Sequence, residues 1–357
     1  MMDPLLNAQI DTILVVNFGG IGDEILFFPV IQSLKEAYPK ARLTALVEPR
    51  CEGIMRFNPA IDHVEVFDAK NRPSVIAFAA LVLRLRRQRF DLTITAGSSP
   101  VMAILARLTG ARYRVGYATH RLTGLLTHKV PLNKQQYAGA MYHDLVGFLG
   151  KAPRLPQMSI PARDREWAQS FLQAHGVAPS DRVVLFHPGV SQLSIRKNII
   201  KGWDPLRWGA LGRRLTDQGL RVVLAGGPDD ADVMAQLRAS GGFPFIDAYG
   251  QTQGLGQLAA LMNAVHLIVA VDSAPMHVGV AVGTPVVAVF GPTDPRKLLP
   301  AGTAHVAVYD ETLACRPCLW DHRKTSCDAL SCLKNIDVER VERAVFKLLP
   351  GKAIEGA

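Results

Sequence analysis

Residues 266–295 read HLIVAVDSAPMHVGVAVGTPVVAVFGPTDP. An apolar, β-rich run from Leu267 to Val271 ends in Asp272-Ser273. A proline, a small-residue helix pattern and a second apolar run from Pro285 to Phe290 follow, closed by Gly291-Pro292. Asp272 or Ser273 suits an N-cap, and Pro275 suits the first helical turn, where its missing N–H costs nothing. Strand, capped helix and strand make one βαβ unit. In an open α/β sheet, ligands sit beyond the carboxyl ends of such strands. A helix start there offers free N–H groups and a positive dipole end, so the stretch predicts an anion site, with a phosphate as its natural occupant.

The same rhythm runs through the chain in two similar halves. Each opens on a strand that enters glycine, TILVVNFGGIGD at 12–23 and RVVLFHPGVS at 182–191. Strands are predicted at 12–18, 42–47, 63–67, 91–95 and 113–117, then at 182–187, 221–225, 244–247, 266–271, 285–290 and 305–308. Helix patterns alternate with them, which argues for parallel sheets with crossover helices. The expected fold class is α/β: two Rossmann-like parallel-sheet domains facing a central cleft, over 1–160 and 161–357. The linker is expected near 151–162, KAPRLPQMSIPA, with its three prolines.

At 357 residues, 48% hydrophobic and 20% charged, the chain has room for two globular domains and is not a disordered one. No uninterrupted apolar run is long enough for a transmembrane helix, and the N-terminus lacks a basic signal-peptide region, so a cytoplasmic protein is expected. The net charge of +9 is uneven: residues 1–178 carry 21 Lys and Arg against 14 Asp and Glu, residues 179–357 carry 19 against 17. A basic first half suits an anionic partner, and ordinary solubility charge explains it as well.

Four segments carry chemistry. Asn17-Phe18-Gly19-Gly20-Ile21-Gly22-Asp23-Glu24 invites a dinucleotide reading, but the third glycine of that fingerprint would fall on Ile25. Either the glycines give a substrate room to approach Asp23, or Asp23 is a plain helix cap. His187-Pro188-Gly189-Val190-Ser191 leads through a polar loop to Lys201, just before a helix; Lys201 can neutralise a phosphate or be a surface lysine beside Arg196 and Lys197. Leu224-Ala225-Gly226-Gly227-Pro228-Asp229-Asp230 closes a strand with acids that suit a ribose, or a turn. His277 lies one turn into the helix after Ser273, within reach of a phosphate or packed between helix and sheet.

Together these segments resemble the family 9 glycosyltransferases, the bacterial lipopolysaccharide heptosyltransferases. The resemblance runs over nearly the whole chain, through ILVVNFGGIGDEILFFPVIQSLKEAYPKARLTALVEP, HPGVS…KGWDPLRWGALGRRL and VDSAPMHVGVAVGTPVVAVFGPTDP. It implies a GT-B fold and inverting, metal-independent transfer of a heptose from ADP-heptose to a lipopolysaccharide core acceptor. Asp23 matches the family's catalytic base, and Asn17, Gly19, Gly20 and Gly22 fall on the acceptor side. Lys201 matches its phosphate-binding lysine and Ser191 a phosphate-binding hydroxyl. Asp272, Ser273, Ala274, Met276 and His277 match its diphosphate-binding helix start. Asp229 is left to hold the ribose, and Gln253 falls where adenine is met through backbone. Implied partners are an ADP-sugar, an anionic glycolipid and the inner-leaflet membrane surface, with no nucleic acid. The resemblance leaves open transfer of another sugar, or to a protein or O-chain acceptor. A nucleotide-sugar epimerase of similar architecture is the alternative from another class.

Two features fall outside that scheme. Cys315, Cys318, Cys327 and Cys332 form C-x2-C-x8-C-x4-C, which raises a structural zinc or iron site or a surface hairpin of reduced thiols, with no cofactor needed for catalysis. Residues 75–90, VIAFAALVLRLRRQRF, turn from apolar to strongly basic, as a helix lying on an anionic membrane does, or a core helix with a solvated arginine-rich end.

Overall fold

The computed structural model describes residues 5–349, apart from Asn7, Arg72, Ser240, Gly241, Thr303 and Asp321. The chain divides into two compact units, Met1–Ser159 and Ile160–Ala357. Residues 151–161 carry neither helix nor strand, and the second unit's first helix begins at Ala162.

The first unit holds Thr12–Val16 (β1), Arg42–Val47 (β2), His63–Val66 (β3), Leu92–Thr95 (β4), Tyr113–Tyr117 (β5) and His128–Val130 (β6). The second holds Val183–His187 (β7), Arg221–Leu224 (β8), Ile246–Asp247 (β9), Leu267–Val271 (β10), Val286–Val289 (β11) and His305–Val308 (β12). The two sheets run β3-β2-β1-β4-β5-β6 and β12-β11-β10-β7-β8-β9. Every pairing in both is parallel. In each unit the first strand lies between the second and the fourth, so the strand order is that of a Rossmann fold. The reversal falls between β1 and β4 in the first sheet and between β7 and β10 in the second. Connections on either side of it leave toward opposite faces, which opens a crevice at the strands' carboxyl ends.

The central strands show why the apolar runs decide the fold. All residues of β7, β10 and β11 are buried, as expected of parallel strands covered on both faces by helices. Each such aliphatic side chain contributes about 1.5–3 kcal/mol of transfer free energy. Strand ends depart from the predicted ones where local chemistry intervenes. β1 stops at Val16 because the Asn17 side chain turns back to accept the Gly19 N–H at 3.1 Å. β9 begins after Pro244 and β11 after Pro285, which have no N–H for a ladder. β6 was not predicted: His-Lys-Val is short and polar, the composition of an edge strand.

The helix Ala274–Ala281 follows β10 with Ser273 as its N-cap residue, and it lies tight on the sheet. A Cβ added to Gly279 would come within 2.8 Å of Ile268 Cδ1 and 2.9 Å of Val286 Cγ2. The glycine thus sets the height of this helix above β10 and β11. Gly279→Ala is expected to lower stability by about 1–3 kcal/mol through overpacking, read as a lower urea midpoint; an unchanged midpoint would show that the helix can lift without cost.

Candidate active site

In the first unit the crevice at the strand reversal carries the glycine-rich turn. The helix Ile21–Ala37 starts at Gly20, and Asp23 sits in its first turn. Asp23 Oδ2 accepts the Gly20 N–H at 2.7 Å. The Tyr142 hydroxyl donates to Asp23 Oδ1 at 3.0 Å. Asn17 is buried; its Nδ2 donates to the Asp23 carbonyl at 3.4 Å. Gly19 is there because Asp23 packs where a Cβ would stand: an added one would meet Asp23 Cβ at 2.3 Å. Asn17, Gly19, Gly20 and Asp23 therefore form one assembly, with Gly22 inside the helix. Asp23 is a helix cap, as one reading of the sequence had it; the room at Gly19 is taken by Asp23 itself, and the carboxylate also lines a cavity of about 640 Å³. The loop after β4, Ala96 to Ser99, lines the same cavity.

Sequence reasoning missed four groups here. Tyr142 lies 119 residues from Asp23 and nothing local to it announces the contact. Lys70 Nζ donates to the Gly19 carbonyl at 3.0 Å, and Arg50 approaches the same oxygen at 3.4 Å. Glu24 is 1% exposed, and its Oε1 has no hydrogen-bond partner among the described residues. Burial, and then the Asp23 carboxylate beside it, raises the Glu24 pKa well above its ordinary value.

The second unit's crevice gathers the predicted phosphate groups. Lys201 Nζ lies 3.3 Å from Asp272 Oδ2, with little of either side chain exposed. Thr293 Oγ1 donates to the same carboxylate oxygen at 2.7 Å. Asp272 thus aligns Lys201 and leaves the cap position to Ser273, whose side chain makes no capping bond. Ala274 and Met276 fall in the first turn that follows, and His277 is buried one turn along. Ser191 is the N-cap of the short helix Gln192–Arg196: its Oγ accepts the Ser194 N–H at 3.3 Å and pairs with Ser194 Oγ at 3.0 Å. Asp229 Oδ2 accepts the Gln192 N–H at 3.0 Å, which ties the turn after β8 to the loop after β7. Gln253 is exposed, and its backbone N–H donates to Gln257 Oε1 at 2.7 Å.

Asp230-Ala231-Asp232 has the D-x-D spacing by which many sugar transferases hold a divalent ion. Asp230 is spent elsewhere. Its Oδ2 accepts the Gly227 N–H at 2.7 Å and lies 3.8 Å from His187 Nε2, with both side chains buried. Burial pushes the Asp230 pKa up and the His187 pKa down, toward a neutral pair. The four C-terminal cysteines are free thiols. Burial raises Cys318, and brings Cys332 up to about 11. The charges of Cys315, Cys318 and Cys327 also act on Cys332, so the four thiols lie near one another, and among the described residues no three His, Cys, Asp or Glu side chains form a ready metal-ligand group.

Two Rossmann-like units, one with a carboxylate at its crevice and the other with a lysine and a helix start at the equivalent point, have the fold of the GT-B class. Residues 78–327 match the sequence profile of glycosyltransferase family 9 (heptosyltransferase), and the chain belongs to that family. Lipopolysaccharide heptosyltransferase 3 of Escherichia coli is 29% identical over 283 residues, 76% of this chain and 81% of that one. The crystal structure of a family 9 glycosyl transferase from Veillonella parvula is 25% identical with a TM-score of 0.80, covering 96% of this chain and 98% of its own. The structure of E. coli ADP-heptose lps heptosyltransferase II superposes with a TM-score of 0.73 over 95% of this chain and 98% of its own, at 22% identity. The chain is therefore a glycosyltransferase of the heptosyltransferase family. Among the described residues no helix is long and apolar enough to cross a membrane.

Glu24 gives a test of the site's electrostatics. A folded-state pKa raised above the ordinary 4.5 means that the folded chain holds a proton the unfolded chain releases. The stability Glu24 contributes is therefore fully present below pH 4.5 and fades as pH rises toward its folded value. Glu24→Gln keeps the shape without the titration. Its urea midpoint is expected to gain on the parent's between pH 4.5 and neutrality, and a pH-independent difference would refute the assignment.

Proposed function

We propose that this enzyme transfers a heptose from ADP-heptose to a hydroxyl of an anionic glycolipid of the lipopolysaccharide core, inverting the anomeric centre without a catalytic metal. The observation that carries this reading is the Asp23 carboxylate, fixed by the Gly20 N–H and the Tyr142 hydroxyl and lining a cavity large enough for an acceptor. Asp23 takes the acceptor hydroxyl's proton as that oxygen bonds to the anomeric carbon. The bond from that carbon to the diphosphate breaks in the same displacement, and ADP leaves with the electron pair. The growing negative charge on the diphosphate is met by Lys201 and the free N–H groups of the helix start after Ser273. Asp272 and Thr293 keep Lys201 in register. Tyr142 holds Asp23 in one rotamer, so no orientation is lost when the acceptor arrives.

The donor assignment is supported by the family and by the likeness to E. coli ADP-heptose lps heptosyltransferase II. Metal independence is supported by a cation and a helix start already gathered in one crevice, and by Asp230 being engaged with Gly227 and His187. The acceptor's anionic character is supported by Lys70 and Arg50 beside Gly19. In this reading the enzyme works in the cytoplasm on an acceptor at the inner leaflet, and Ser191, Asp229 and Gln253 border the nucleotide.

Turnover of ADP-heptose with a core acceptor tests the mechanism. Asp23→Asn is expected to cut kcat by about 10²–10⁴-fold while leaving ADP affinity unchanged. Full turnover in that variant would exclude Asp23 as the base. Activity is expected to persist in excess EDTA, and its abolition there, with recovery on adding a divalent ion, would overturn the metal-free scheme.

A further inference from the structure

The segment 310–336 carries the four cysteines and contributes no strand to the sheet. Its base is closed where Asn335 Nδ2 donates to Asp310 Oδ2 at 2.7 Å. What it touches is the backbone on both sides of the Lys201–Asp272 pair.

On the Asp272 side lies the loop after β11. Gly291, Pro292 and Thr293 belong to neither helix nor strand, so their buried carbonyls need donors from elsewhere. The cysteine-bearing segment supplies all of them. Arg316 Nε donates to the Gly291 carbonyl at 2.5 Å, and its Nη2 to the Thr293 carbonyl at 2.9 Å. The Cys318 and Leu319 N–H groups both donate to the Pro292 carbonyl, at 3.0 and 3.1 Å. The guanidinium also lies over the Tyr309 ring, 4.6 Å from its centroid. A guanidinium is a rigid planar fork, so bonding two carbonyls at once fixes the backbone between them. Thr293 stands at one end of that backbone, and its hydroxyl donates to the Asp272 oxygen that faces Lys201.

On the Lys201 side, residues 197–204 also carry neither helix nor strand. One side chain of the same segment orders them. Ser326 Oγ accepts the Ile200 N–H at 2.7 Å and donates to the Ile200 carbonyl at 3.3 Å. The Ser326 N–H donates to the Asn198 carbonyl at 2.7 Å. Ser326 is 3% exposed, so water does not compete for these bonds. The Ile200 carbonyl is half of the peptide group on which Lys201 begins. A lysine stem is flexible, and its ammonium is placed only by where the backbone starts it and by the carboxylate it meets.

We infer that the segment 310–336 is a strap that sets Lys201 against Asp272, with Arg316 and Ser326 as positioning residues for the diphosphate. The inference rests on the reading of Lys201 as the phosphate-binding cation and deepens it by naming what holds that cation in place. Neither residue has to touch the nucleotide. A charge that is misplaced by a fraction of an ångström loses its bond to the phosphate, and two otherwise irregular loops would allow such a shift.

The test compares the full chain's affinity for ADP with its affinity for adenosine, since the ratio isolates what the diphosphate contributes. Lys201→Gln keeps a hydrogen-bond partner for Asp272 without the charge, and is expected to lower the preference for ADP at least about tenfold. Ser326→Ala and Arg316→Lys are each expected to lower it about three- to tenfold and to leave adenosine affinity unchanged. Arg316→Lys retains the charge and loses the fork, so its effect reports geometry. Combined with Lys201→Gln, each strap substitution is expected to add less than about twofold, because its effect passes through Lys201. An ADP preference unaltered in either strap variant, while Lys201→Gln lowers it, would overturn that residue's role and leave the reading of Lys201 standing. A lower urea midpoint with an unchanged preference would do the same, since the residue would then serve the fold alone. Full additivity with Lys201→Gln would overturn the strap as well. If Lys201→Gln itself leaves the preference intact, the phosphate reading fails and the strap fails with it.

Discussion

Everything chemical in this protein depends on a constraint of topology. A parallel strand cannot turn directly into its neighbour; it must cross over by a helix, and the crossovers on the two sides of the first strand pack on opposite faces of the sheet. Between β1 and β4, and again between β7 and β10, the sheet's end is therefore left open. The loops that border these openings carry Asn17 to Asp23 with Ala96 to Ser99 in one unit, and Ser191 and Lys201 with Asp272 and Ser273 in the other. Helix starts at these openings aim unpaired N–H groups at whatever enters. Sites of opposite preference follow from what fills the opening: a carboxylate at the first, a lysine at the second.

One turn device is used twice with different consequences. Gly-Gly followed three residues later by aspartate caps the helix at Gly20 with Asp23 and the turn at Gly227 with Asp230, both at 2.7 Å. Each aspartate packs against a glycine that leaves room for it, Gly19 for Asp23 and Gly189 for Asp230. Asp23 follows β1, at the reversal, and lines a cavity. Asp230 follows β8, away from the reversal, and is closed in against His187. Local sequence is the same in kind; strand position decides which carboxylate opens onto a cavity and which is closed in.

That contrast explains what was legible in the chain. The strands were, because two-sided burial demands unbroken runs of Val, Ile, Leu and Ala, and LIVAV and VVAV allow little else. The helix starts at Gly20 and Ser273 and the loop at Lys201 were legible because each sits beside glycine or proline that betrays the turn. Groups recruited across the fold were not. Tyr142 reaches Asp23 from 119 residues away, Lys70 reaches Gly19 from 51, and Thr293 joins Asp272 from another loop. Polar β6 was illegible for a related reason: an edge strand owes its place to its neighbour β5 and carries no apolar signal of its own.

In the proposed reaction the Lys201–Asp272 pair sets how a diphosphate would be held. Asp272 is 3% exposed, and a buried carboxylate without its partner is strongly unfavourable, so Lys201 compensates Asp272 before any donor binds. A diphosphate arriving there meets a lysine whose charge is already shared. Net attraction must then come in part from groups that bring no counter-charge with them, and the backbone N–H groups after Ser273 are of that kind. Their dipoles are fixed by the helix and need no reorganisation as the leaving group gains charge. Thr293 strengthens the arrangement from behind by donating to the oxygen that faces Lys201, which draws carboxylate charge away from the lysine and frees more of its field for the phosphate. In the proposed reaction the buried carboxylate holds Lys201 in place, and the helix start supplies the attraction that the pair does not.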